Sequence, residues 1–203
     1  VNTNFNFDKY NNDIREAINT SKYILDKEPL KKAILVSNPQ APRLYGLPKI
    51  HKPGTPMRPV VSFVSAPSYK LAKFLDMWFK RNTNFQPPLS IKNSIELSEL
   101  LSHNPPPPSG STLLSFDVVG LYPNVPLQPT RMRIEEYLKE AEVPTPLISE
   151  FKSLLEKCLA PNICQFNRSI YNLPPDIGIP IGSPLGSLIG EVFMSSLEEE
   201  IFG

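Results

Sequence analysis

The stretch LLSFDVVGLYPNVP, residues 113–126, decides how the rest of the chain is read. It is apolar almost throughout, yet Asp117 sits inside it. The run TLLSFD, 112–117, predicts a buried strand. An unpaired carboxylate in such a strand is expensive, so something must compensate: a cation, a turn or helix N-terminus, or a metal ion. Gly120 and Pro123 take the chain out of the strand just beyond Asp117. Its carboxylate can therefore face a cleft while the strand below stays buried. Read alone, an aspartate capping the following turn explains the residue better than a ligand for a divalent metal does.

Working outward, the segment LPKIHKPGTPMRP, 47–59, sets Lys49, His51, Lys52 and Arg58 around a Pro53-Gly54 turn. A hairpin there would bring Lys49 and Arg58 to facing strands, where both reach one triphosphate. An ordinary exposed basic hairpin fits the same residues. The charge distribution is lopsided. Residues 31–81 carry ten Lys/Arg against one acid, Asp76, for +9. Residues 82–203 carry seven against fourteen, for −7, and residues 1–30 carry −1. A block this basic suits a phosphate-rich partner, and a solvated basic face suits it too.

The remaining pattern alternates helical and extended segments. Helical spacing of apolar residues covers 8–27, and AILVS, 33–37, is a short β-prone run. A strand is expected at 59–63, helices at 68–79 and 94–101, and a stiff polyproline loop at 104–111. Helices opened by Pro129, Pro146 and Pro184 follow, with a β-hairpin turning at Asn167-Arg168 between the last two. This order argues for an α+β fold. The Gly-rich segment GIPIGSPLGSLIG, 178–190, lacks the Gly-Lys-Ser/Thr of a phosphate loop. Its glycines admit a close backbone or ligand, or form a helix-packing seam. Cys158 and Cys164 lack zinc-site spacing and read as reduced thiols of an intracellular protein. No run is long and apolar enough to span a membrane.

Taken in order, RLYGLPKIHK, RPVVS, SFDVVGLYPNVP and IGSPLGSLIGEVFM closely resemble the reverse transcriptases of Penelope-like retroelements, from about Ala33 to Glu198. The resemblance implies the fingers and part of the palm of a right-hand polymerase, an antiparallel sheet with packed helices. It divides the chain into an N-terminal helical extension (1–30), fingers (31–110) and partial palm (111–203). It implies a fragment ending before a Tyr-x-Asp-Asp strand, its missing palm and thumb lying further along the same polypeptide. Asp117 matches the first metal-binding aspartate, with the carbonyl of Val118 as a further ligand to magnesium, manganese being the alternative ion. Tyr122 matches the aromatic residue under the sugar of the incoming nucleotide, which excludes a 2′-hydroxyl. Lys49 and Arg58 match the triphosphate-holding residues of the fingers. Gly182, Ser183 and Pro184 match the segment lining the nucleotide and template base. Arg43, Lys49, His51, Lys52, Lys70 and Lys73 are then expected to meet nucleic acid. The implied reaction is RNA-directed DNA synthesis, attack of a primer 3′-oxygen on the α-phosphate of a deoxynucleotide. The implied partners are an RNA template, a DNA primer and a deoxynucleoside triphosphate, in the nucleus for the parent retrotransposon. One departure is Pro174-Pro175, where the family often has Gln. A non-catalytic nucleic-acid-binding module of retroelement descent, or a metal-dependent nuclease using Asp117, are the competing expectations. The fragment itself is expected to bind nucleic acid without polymerising.

Overall fold

In the computed structural model, residues 4–160, 162–174 and 176–202 are described. The first helix, α1 (Phe7–Thr20), starts where Asn6 Oδ1 accepts the Lys9 N–H at 2.9 Å. It buries Tyr10, Ile14 and Ile18, one residue per turn. Helical spacing predicts continuation to Lys27, but the helix ends at Thr20. The reason lies on α7 (Thr145–Leu159): Glu150 accepts the N–H groups of Lys22, Tyr23 and Ile24 at 3.0, 3.1 and 2.9 Å. Those donors are thereby removed from the helical ladder. Ile24 and Leu25 are still buried, in a turn. The β-prone run 33–37 also differs from expectation. Its start completes α2 (Glu28–Ile34), which has a proline in its first turn and Lys31 and Lys32 in its last.

Next, β1 (Arg43–Pro48) and β2 (Met57–Ser62) form the expected hairpin, but Lys49 and Arg58 do not face each other across it: Arg58 lies opposite Leu47, and Lys49 stands just past the end of β1, its N–H on the Pro56 carbonyl at 2.9 Å. The β3–β4 hairpin (Ile163–Phe166, Ser169–Asn172) turns at Asn167 and Arg168, both at positive φ (46° and 64°). That is the geometry of a two-residue hairpin loop matched to strand twist. The sheet runs β2-β1-β3-β4 and is mixed, because β1 meets β3 in parallel where Arg43 faces Gln165. This corrects the expectation of an antiparallel sheet; the two hairpins are antiparallel within themselves and join through a parallel contact.

The larger correction concerns 112–117. This run has no regular secondary structure and no sheet partner among the described residues, and Leu113 and Phe116 are 97% and 91% exposed. A strand needs a neighbour to hold its backbone groups, and intrinsic β-preference does not supply one.

Helices α1, α3 (Tyr69–Thr83), α6 (Leu127–Glu140), α7 and α8 (Gly186–Phe202) enclose the main core. Trp78 stacks on Phe151 at 5.3 Å, beside the fully buried Phe79. A smaller cluster of Val61, Phe63, Ala66 and Cys164 backs the sheet. Two elements stand apart. The α4 helix (Ser94–His103) is capped by Asn93 and Glu96 yet has no buried residue. The four-residue α5 (Leu121–Asn124) carries Tyr122 to the site described next. The fold is therefore α+β, as the sequence predicts. No described helix is long and apolar enough to cross a membrane.

Candidate functional site

Gly120 enters α5 at φ +67°, and Asn124 Nδ2 closes the turn on the Gly120 carbonyl at 2.8 Å. A left-handed backbone of this kind is what glycine permits. The turn is fastened from outside by the run 176–179. Gly178 N–H donates to the Val125 carbonyl at 2.8 Å, Ile179 N–H to the Tyr122 carbonyl at 2.7 Å, and Leu127 N–H to the Asp176 carbonyl at 3.2 Å. At its other end, the Ile181 carbonyl accepts the Val61 N–H of β2 at 2.8 Å. One short backbone strap thus grips the α5 turn with one end and the β1–β2 hairpin with the other.

Between them lies an open cleft of about 570 Å³. One wall is basic, with Lys49, His51, Lys52 and Arg58 from the hairpin and its turn. The other runs from Asp117 and Val118 through Gly120 to Tyr122, and Ile181 forms part of the lining. Among the described residues the Asp117 carboxylate has no hydrogen bond or ion pair, and it is exposed, so the expected burial penalty does not arise. Residues at positions 49–58 and 117–122 meet here although some sixty residues separate them in the chain.

The other expected site residues are placed differently. Gly182, at φ +104°, lies under β2: a side chain there would meet the Val61 carbonyl oxygen at 2.5 Å. Ser183 Oγ accepts the Leu185 N–H at 3.3 Å, and with Pro184 it leads into α8. These three stand beside the cleft, next to Ile181, without lining it. Arg43 sits exposed on β1 opposite Ser62. On α3, Lys70 donates to the carbonyls of Ala33 and Leu35 at 3.0 and 3.1 Å, capping the end of α2, and Lys73 lies over the Tyr69 ring. None of Arg43, Lys70 or Lys73 reaches the cleft. Pro174 lies in the loop after β4, and Pro175 falls outside the described residues.

As a metal site the cleft is incomplete. Among the described residues, Asp117 is the sole acid in its lining, and no three His, Cys, Asp or Glu side chains gather around a common point. A two-ion centre needs carboxylates that bridge the ions. The residues present do not fit that group by themselves.

The packing of Tyr122 was not legible in the sequence. Its ring rests against the helix α8 at two glycines, Gly186 and Gly190. Their spacing of four residues puts both on one helix face, the one signal that could have marked the seat.

Fold and cleft together define an α+β protein in which a basic hairpin faces a turn bearing one carboxylate and one aromatic ring. No protein-family model matches the chain, and no curated protein does.

Proposed function

We propose that this chain is the nucleotide-binding part of an RNA-directed DNA polymerase domain of a retroelement. The observation that carries the proposal is the meeting of Lys49 and Arg58 with Asp117 and Tyr122 in one cleft. A triphosphate needs fixed positive charge on one side, and a guanidinium provides two aligned donors for it. A sugar and base need a flat apolar surface, and Tyr122 offers one. In this reading Lys49 and Arg58 hold the phosphates, Tyr122 limits the space beside the sugar, and Asp117 turns a carboxylate toward the reacting end. Magnesium, or manganese, would neutralise phosphate charge, and this chain's share of its ligands would be Asp117 and the Val118 carbonyl. Further carboxylates must come from outside the described residues. The exposed run of Leu113, Leu114 and Phe116 supports a further strand of palm pairing there, because unpaired backbone and apolar side chains both gain from it. His51 and Lys52 on the hairpin turn suit contact with template or primer phosphates.

The single acid of the cleft favours a second reading, a nucleic-acid-binding module without catalysis. Arg58→Ala separates the two. Loss of a charge-assisted bond to phosphate costs roughly 1.5–3 kcal/mol, about tenfold or more in affinity. Binding of a fluorescent deoxynucleoside triphosphate in magnesium should weaken by that factor, and affinity for a primer–template duplex should change little. Loss of duplex affinity with no nucleotide binding in either protein would overturn the polymerase reading in favour of the second.

Both readings share one expectation. Duplex affinity should fall steeply as salt rises, since several Lys and Arg displace counterions from phosphates. A flat response in a salt titration would leave the basic hairpin without a nucleic-acid role.

A further inference from the structure

Tyr122 is 36% exposed, and its ring has the cleft on one side and α8 on the other. The two glycines beneath it are not equivalent. A methyl group at Gly186 would stand 3.6 Å from Tyr122 Cε1, an ordinary contact. A methyl at Gly190 would stand 3.3 Å from the same atom, with Leu121 Cδ2 at 3.9 Å, so the ring would have to give way. The ring has little freedom to retreat along the chain, because the Tyr122 carbonyl is held by Ile179 N–H at 2.7 Å and the turn is closed by Asn124. The open direction is the cleft.

We propose that Gly190 is a positioning residue for Tyr122: by having no side chain, it sets how far the ring reaches into the cleft, and so how much room is left beside a bound sugar. Sugar selection would then be shared between a ring in the cleft and an absent side chain on α8. The inference rests on the nucleotide reading of the cleft.

The test is Gly190→Ala, with Gly186→Ala as the matched control. Gly186 opens α8 and Gly190 lies within it, and alanine favours helix more than glycine does, so neither is expected to unfold α8. Two readouts are needed. The first is the ring itself, followed by nuclear Overhauser contacts between the Tyr122 ring and residue 190. Those contacts should shift in Gly190→Ala and stay in place in Gly186→Ala. The second is the ratio of dissociation constants for a deoxynucleoside triphosphate and its ribonucleoside counterpart. Gly190→Ala should reject the ribonucleotide more strongly by a factor of about two to five, because a 3.3 Å contact displaces the ring by only a small fraction of a methyl's width. The effect should vanish in a Tyr122→Leu background, as a double-mutant cycle reads it. An unmoved ring, or a changed ratio that persists without Tyr122, overturns the proposal. If the wild type binds neither nucleotide, it is the nucleotide reading that fails, and the ring contacts alone then decide whether Gly190 seats Tyr122.

Discussion

Gly178→Ala should destabilise the protein by roughly 2–5 kcal/mol, the sum of a left-handed backbone and a steric overlap. Gly178 has φ +80°, and a methyl group there would lie 2.3 Å from the Pro123 carbonyl oxygen. That oxygen is backbone, so no side chain can swing aside. The turn on which it lies is the one that presents Tyr122. Gly178 N–H also bonds the Val125 carbonyl, so displacement would break the strap's hold on α5. Denaturant unfolding measures the loss. Gly54→Ala isolates the two contributions, because Gly54 has φ +72° and nothing within 4 Å of an added methyl. It should lose only the conformational part, about 1–2 kcal/mol. Equal losses at the two positions would mean that the strap yields to the overlap and does not fix the turn.

The second large effect is expected at Glu150. Its carboxylate accepts a hydrogen bond from Ser21 Oγ and three from the N–H groups of Lys22, Tyr23 and Ile24, more than 120 residues away. Burial works against its ionisation, but the donors from Ser21, Lys22, Ile24 and Tyr23 outweigh it and hold the carboxyl below its usual range. Glu150→Ala leaves those donors to water and should cost about 2 kcal/mol, allowing for partial solvent access. The pH dependence has a definite sign. A carboxyl whose pKa is lower in the folded state contributes stability above its unfolded pKa and loses it as pH falls through the folded value. Wild type should therefore weaken on acidification below the ordinary glutamate range more steeply than Glu150→Ala. Parallel stability curves for the two proteins below about pH 5 would remove Glu150 from the acid response.

The helices were legible because burial follows their period: Leu71, Leu75 and Phe79 on α3, and Leu154, Leu155 and Cys158 on α7. The hairpin turns were legible from Pro53-Gly54 and Asn167-Arg168, residues suited to turn backbone. What failed were elements decided by partners far along the chain. Residues 22–24 were read as helix because their apolar spacing is helical, and a glutamate 126 or more positions later takes their N–H groups. The segment 112–117 was read as a strand from its composition, and its backbone finds no neighbour among the described residues. The candidate site was legible in part. Asp117 was singled out as a carboxylate in an apolar run, Lys49 and Arg58 as a basic hairpin, and Tyr122 by motif resemblance, and in the structure they share a cleft. Arg43, Lys70 and Lys73 were grouped with them on charge alone. Charge in sequence does not distinguish a lysine facing solvent from one capping a helix, as Lys70 does for α2.

The strap has a consequence for how such a chain can vary. Between the bond at Ile179 and the bond at Ile181 lie only two steps of backbone, and on them depends the separation of the two walls. Apart from its glycines and the buried Ile179, which belongs to the main core, the strap acts through peptide groups, which every residue type except proline supplies in full. Exchange of the exposed side chain at Ile177 should therefore cost little, whereas truncation of Ile179 should not. Insertion or deletion of a single residue should be costly too, because it would move one wall relative to the other by roughly 3 Å, the advance of one extended residue. What the segment keeps is a length, and the cleft inherits its width from that length.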